Sequence, residues 1–219
     1  GTGPEYANTI NRIHAVKFLG SNANYLTIAD AAFLNDTDYT IVVLEKRQSS
    51  AASNYFIGSA ATSENDSLVL GYDSDSTVIH DQGSNSYSTQ AATVTSYNSS
   101  KDEPRLFVFT HSTAEGKKTY INGTLAAEDP ANTASLSGLT SLDIGKGYTG
   151  EIGELAIFTK VLKDEERKPI EDYLGKKWTR SVNRFKAPSC LVGAVTDNGC
   201  NVSLASCSIS QTGISTSVG

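Results

Sequence analysis

The chain contains no methionine, one tryptophan and three cysteines in 219 residues, and each scarcity narrows the reading. A chain without even an initiator methionine is expected of an excised or processed piece of a longer protein. No apolar run approaches the ~20 residues of a membrane-spanning helix, and no leader with a charged start and an apolar middle is read at its front. The net charge is only −6, with no block of either sign. That balance points away from nucleic acid and anionic membrane surfaces as partners.

Catalytic signatures are scarce as well. No G-x-S-x-G elbow sets up any of the many serines as a nucleophile, and no phosphate-cradling glycine loop is expected. His14, His80 and His111 fall in three separate strand-like runs and are expected to be ordinary surface or hydrogen-bonded histidines. All three cysteines, Cys190, Cys200 and Cys207, lie in the last thirty residues, spaced C-x9-C-x6-C without a nearby histidine. A disulfide between two of them, formed in an oxidising compartment, fits that spacing better than zinc. Five N-x-S/T sequons (Asn35, Asn65, Asn98, Asn122, Asn201) carry little weight in a chain so rich in Ser, Thr and Asn.

What is present is a rhythm of short β-rich runs broken by Ser, Asn, Gly and Asp: "HAVKFLGS", "NYLTI", "DYTIVVLEKR", "NYFIGS", "SLVLGYDSDS", "STVIHDQ", "RLFVFTHST", "GKKTYINGTLAA", "SLDIG" and "EIGELAIFTK". About ten strands without intervening helical periodicity predict an all-β antiparallel sandwich or barrel. Asn122-Gly123 in "YINGT" predicts a two-residue type I′ hairpin. One helix is expected over 162–178, with acids at its start and lysines at its end as the dipole favours. Ile170, Tyr173, Leu174 and Trp178 are its expected apolar face, and Pro169 is expected to open a second segment after a short acidic turn. Beyond the helix the texture changes to a connector and a small, polar, Cys-bearing tail, so residues 1–180 and 181–219 are expected to be separate parts.

In order along the chain, "VKFLGSNANYLTI", "DYTIVVLEK", "YINGT", "SLDIG", "GEIGELAIFTKVLKDEE" and "IEDYLGKKW" resemble the concanavalin A-like lectin/glucanase superfamily. The closest branch is the laminin-G/pentraxin-like jelly roll of bacterial surface proteins, over roughly residues 4–178. The resemblance implies a two-sheet antiparallel jelly-roll sandwich closed by one C-terminal helix, and a fold that hosts lectins, glycanases and adhesive modules alike. The tail is similar to that of pilin-like proteins carrying a grafted lectin-type module.

Three chemistries bear on that frame. Glu151 and Glu154 in "GEIGELAIF" lie three apart, and on a regular strand such positions face opposite ways, so they are not expected to form a glycanase acid pair. Ile152, Leu155, Ile157 and Phe158 are expected core residues. The pentraxin calcium acids have no counterpart in "GKGYT" or at Ser53-Asn54. Asp73 and Asp75, with Asp81 nearby, form a weaker calcium candidate, against which a solvated Asp/Ser turn is the simpler reading, and no cofactor is expected. For sugar, the span 72–97 supplies aromatic rings for apolar C–H faces and polar groups for hydroxyls: Tyr72, Tyr87 and Tyr97 beside Asp73, Asp75, Asp81 and Asn85. The expected object is a non-enzymatic extracellular or cell-surface recognition module. Its expected partner is a glycan, a host or cell-surface protein, or other pilus or adhesin subunits.

Overall fold

The β-rich runs pair into two antiparallel sheets, seen in a computed structural model that describes residues 3–10, 13–58, 67–82 and 101–178 and the pairs 192–193 and 202–203. The larger sheet has the order β1 (Glu5–Ile10), β2 (Ile13–Leu19), β12 (Thr149–Phe158), β4 (Tyr39–Arg47), β8 (Pro104–Ser112), β9 (Gly116–Ile121) and β10 (Thr124–Asp129). The smaller runs β3 (Leu26–Ile28), β11 (Leu142–Ile144), β5 (Asn54–Ile57), β6 (Leu68–Ser74) and β7 (Thr77–Gln82). A 3-10 turn (Ala32–Leu34) and one helix, α1 (Asp164–Trp178), complete this unit, which ends at Trp178. It is the expected two-sheet jelly-roll sandwich. In the second unit, Thr179–Gly219, β13 (Val192–Gly193) pairs antiparallel with β14 (Val202–Ser203). The cysteines lie outside the described residues.

Strand β4 shows why the fold forms. A strand with one wet face alternates polar and apolar residues, yet "YTIVVL" is buried at every position. Ile41 and Val43 face the smaller sheet and join Phe56, Phe107 and Phe109 in the main core. Val42 and Leu44 face the other way and join Leu106, Val108, Leu174 and Trp178 beneath α1. Both faces of the central strand are thus covered, and each such side chain contributes roughly 1.5–3 kcal/mol of transfer free energy.

Local chemistry sets the connections. Asn122 and Gly123 have φ of 50° and 84°, both positive, and join β9 to β10 as the type I′ turn requires. Asn122 Oδ1 also accepts the Leu106 N–H at 3.0 Å, tying the turn to β8.

Helix α1 departs from expectation twice. It is continuous through Pro169, which lies inside it. The missing N–H leaves only the carbonyl of solvent-exposed Glu165 without its helical donor, a loss water can make good. The expected apolar face is also wrong at one position: Tyr173 is exposed, whereas Arg167 and Glu171 are buried. Arg167 donates to Glu171 at 2.6 Å and to Asp164 at 2.8 Å, and its guanidinium covers the Tyr120 ring at 3.9 Å, so the pair is buried with its charges compensated. Among the described residues no helix is long and apolar enough to cross a membrane.

Candidate functional site

Side chains that alternate along β4 place Tyr39 at one end of the space between the sheets and Glu45 and Arg47 at the other. Past the Glu45 end, the Asp102 N–H bonds the Arg47 carbonyl at 2.8 Å and the Ser53 N–H the Asp73 carbonyl at 3.1 Å, so residues 101–103, 48–53 and the β6–β7 turn form a rim there. Glu45 is fully buried and accepts Tyr72 Oη–H at Oε1 (2.7 Å) and Tyr148 Oη–H at Oε2. Loss of solvation pushes its carboxyl up to about 7, against the pull of the two tyrosyl donors and of Arg105 and Arg47. Burial and the neighbouring Glu45 push Tyr148 well above the ordinary tyrosine range.

Arg47 carries this cluster to the surface. Its guanidinium lies 4.1 Å from the centre of the Tyr72 ring. Nη2 donates to Asp75 Oδ1 at 2.9 Å and Nη1 to the Asp75 carbonyl at 3.2 Å. Arg47 is fully buried while the Asp75 side chain is 65% exposed, so the contact spans core and rim. Beside it, Tyr55 donates to Asp73 Oδ1 at 3.1 Å, and the Ser53 N–H reaches the Asp73 carbonyl at 3.1 Å.

The seven residues singled out from the sequence separate accordingly. Asp73 and Asp75 stand on the rim. Tyr72 does not: it is fully buried, its ring between Arg47 and Phe107 and its hydroxyl on Glu45, and it has no face to offer a sugar. Asp81 is buried far along β7, opposite Val69, and does not join Asp73 and Asp75. Asn85, Tyr87 and Tyr97 lie outside the described residues.

The calcium candidate does not fit. Asp75 faces a guanidinium, Asp73 is held by Tyr55, and Asp81 is elsewhere. Among the described residues no three His, Cys, Asp or Glu side chains converge.

The glutamates of β12 need a correction. Glu151 pairs with Lys46 and Glu154 with Leu44, leaving Gly153 as an extra residue, a β-bulge. The bulge restores the phase, so Glu151 and Glu154 share a face after all. That face lies under the helix: Glu154 Oε1 accepts Trp178 Nε1–H at 3.0 Å and Lys177 Nζ–H, and Glu151 Oε1 accepts Gln48 Nε2–H at 3.1 Å. Glycine is required at the bulge because a Cβ there would stand 2.9 Å from both Leu44 and the Trp178 ring. Residues 145–150 also carry a G-x-G-x-x-G spacing, contrary to expectation, but they lead into strand β12 and not into a helix N-terminus that could hold a phosphate.

The three histidines divide between surface and core. His80 and His111 are both fully buried and converge on Tyr39. Tyr39 Oη lies 2.9 Å from His80 Nε2 and donates to Gln82 Oε1 at 2.6 Å, while the His111 ring stacks on the Tyr39 ring at 5.4 Å. His111 reaches Tyr39 by strand pairing across β4 and β8, and His80 reaches it from β7 of the opposite sheet, a meeting no local motif announces. His14 stays on the surface, edge-on to Tyr6.

Comparison with known proteins agrees with this architecture. No curated protein sequence is significantly similar to the chain. Domain 4 of AbnA, a GH43 extracellular arabinanase from Geobacillus stearothermophilus solved with arabinotriose, is similar with a TM-score of 0.60 and 17% identity, over 76% of this chain and 80% of that one. The botulinum neurotoxin serotype D binding domain gives a TM-score of 0.61 and 14% identity, over 79% of this chain but 45% of that one. At such identities the likeness establishes the fold. Residues 20–166 match a laminin G family model, and the chain belongs to the concanavalin A-like lectin/glucanases superfamily.

Proposed function

We propose that the chain is a non-enzymatic, extracellular recognition module that binds carbohydrate through the rim around the β6–β7 turn, as part of a bacterial surface or filament protein. The observation that carries this reading is the turn itself. Asp73 and Asp75 present carboxylate oxygens to solvent, and buried Arg47 and Tyr55 hold them in place. Preorganised acceptors of this kind suit sugar hydroxyls, whose binding otherwise loses free energy to side-chain ordering. The arabinanase domain with the same fold was solved with a bound oligosaccharide, which supports the ligand class. The non-catalytic part of the reading rests on Glu151 and Glu154, which share a face but are engaged by Gln48, Lys177 and Trp178.

The second reading is a protein-binding or structural module of a filament. Burial of Tyr72 favours it, since that ring is removed from any sugar platform. A glycan array probed with the whole chain, in calcium and again in chelator, separates the two. The expected result is binding to a defined saccharide class that survives chelation, because Asp75 is already compensated by Arg47. A blank array in both conditions overturns the carbohydrate reading in favour of a protein partner.

A further inference from the structure

Glu45, Arg47 and Asp75 form a line from core to surface. Both oxygens of Glu45 accept tyrosyl O–H groups, which suits the ionised carboxylate, an acceptor only. A proton taken up from water turns one oxygen into a donor, so one tyrosine must exchange its role. Uptake also removes the charge that two buried cations, Arg47 on the same strand and Arg105 opposite on β8, help to balance. The groups facing Glu45 are therefore Tyr72 from β6, Tyr148 from the turn before β12, and these two arginines, while its neighbour on β12, Ile152, is apolar. Arg105 lies beside Glu103 at 3.5 Å on the rim, and Arg47 holds Asp75 by side chain and carbonyl together.

We propose that these three residues act as a proton-driven relay: the charge on buried Glu45 sets how strongly Arg47 is drawn inward, and so how tightly Arg47 holds Asp75 and the β6–β7 turn. With Glu45 ionised, Arg47 is attracted to two carboxylates and its hold on the turn weakens. With Glu45 protonated, the attraction falls on Asp75 and the turn tightens. Coupling of this kind is reciprocal, so the state of Asp75 also acts back on Glu45. The relay holds whether or not the rim binds a sugar, because it is read from the turn directly.

The test is a pH titration of the whole chain from 5 to 9 by NMR, following the side-chain carboxyl carbon of Glu45 and the backbone amides of Ser74, Asp75, Ser76 and Thr77. In the unmodified protein both should shift with one midpoint near 7. Asp75→Asn, on an exposed turn that leaves the core untouched, should let Glu45 keep titrating while the amide shifts shrink, the Arg47 bond to the backbone carbonyl remaining. Arg47→Gln should abolish them. Absence of any turn response in the unmodified protein overturns the relay. So do full-sized turn shifts in Arg47→Gln, which would mean that the turn senses the charge without Arg47.

Discussion

At one end of β4 a carboxyl, two tyrosines and two arginines fill the space between the sheets; at the other, two histidines and a lysine gather around a tyrosine. Both ends are buried, and burial disfavours charge in each, but the signs are opposite. Glu45 is pushed up to about 7 by desolvation. His80 and His111 are pushed down, first by desolvation and then, for His80, by the Lys117 charge. Lys117 itself is lowered to about 8 by burial, with Asp81 and Asp129 opposing.

The two ends therefore respond to pH in opposite senses. Stability from the raised Glu45 is fully present below its unfolded value of 4.5 and is lost as pH rises through about 7. Stability from the lowered histidines is present above 6.5 and is lost as pH falls through their folded values. Lys117 adds a loss as pH falls from 10.5 through about 8. Between 4.5 and 6.5 the acid end and the histidine end oppose each other, and the pH profile of the intact protein should be flatter there than either end alone would make it. The ends also differ in what ties them outward: Arg47 joins the first to the rim through the Asp75 carboxylate, whereas Gln82 joins the second to the backbone carbonyl of exposed Ala134 at 2.6 Å.

The sharpest way to break this symmetry is Glu45→Gln, which copies the protonated carboxyl with an amide that still donates and accepts. Relative to the parent it should gain roughly 3 kcal/mol by pH 8 and close to nothing at pH 4. Chemical denaturation across that range reads the gain, and a parallel offset at all pH values would mean that Glu45 does not titrate as described. A smaller change is expected from His111→Phe, which keeps the stack on Tyr39 and removes one of two basic rings. It should lose less stability than the parent on acidification from pH 6.5, with the loss that remains coming from His80. An unchanged acid limb would assign acid sensitivity to other groups.

Local signals predicted most of the fold because each acts within a few residues. The β-branched run of β4, the positive-φ pair Asn122-Gly123 and the charge gradient of α1 were all legible. Strand β1 was not, since "EYANTI" has weak β-character and gains its place by pairing with β2. The bulge at Gly153 was also hidden, because an extra residue in a strand is visible only against its partner, and it reversed the expected facing of Glu154. At the candidate site, Asp73 and Asp75 were legible as turn residues. Tyr72 was not, because the phase that turns it inward is set by Asn54 and Val78 across the sheet. Glu45, Arg47 and Tyr148 carried no sequence signal. A Glu and an Arg two apart on a strand look like a solvated edge until both faces of that strand prove to be covered.

On the proposed reading, the rim around the β6–β7 turn is the binding surface. The most direct test is an NMR titration of the whole chain with arabinotriose and a panel of other neutral oligosaccharides. Perturbed amides are expected in residues 48–53, 73–77 and 101–105. Perturbations confined to α1 or to the histidine end, or none with any saccharide, would contradict it.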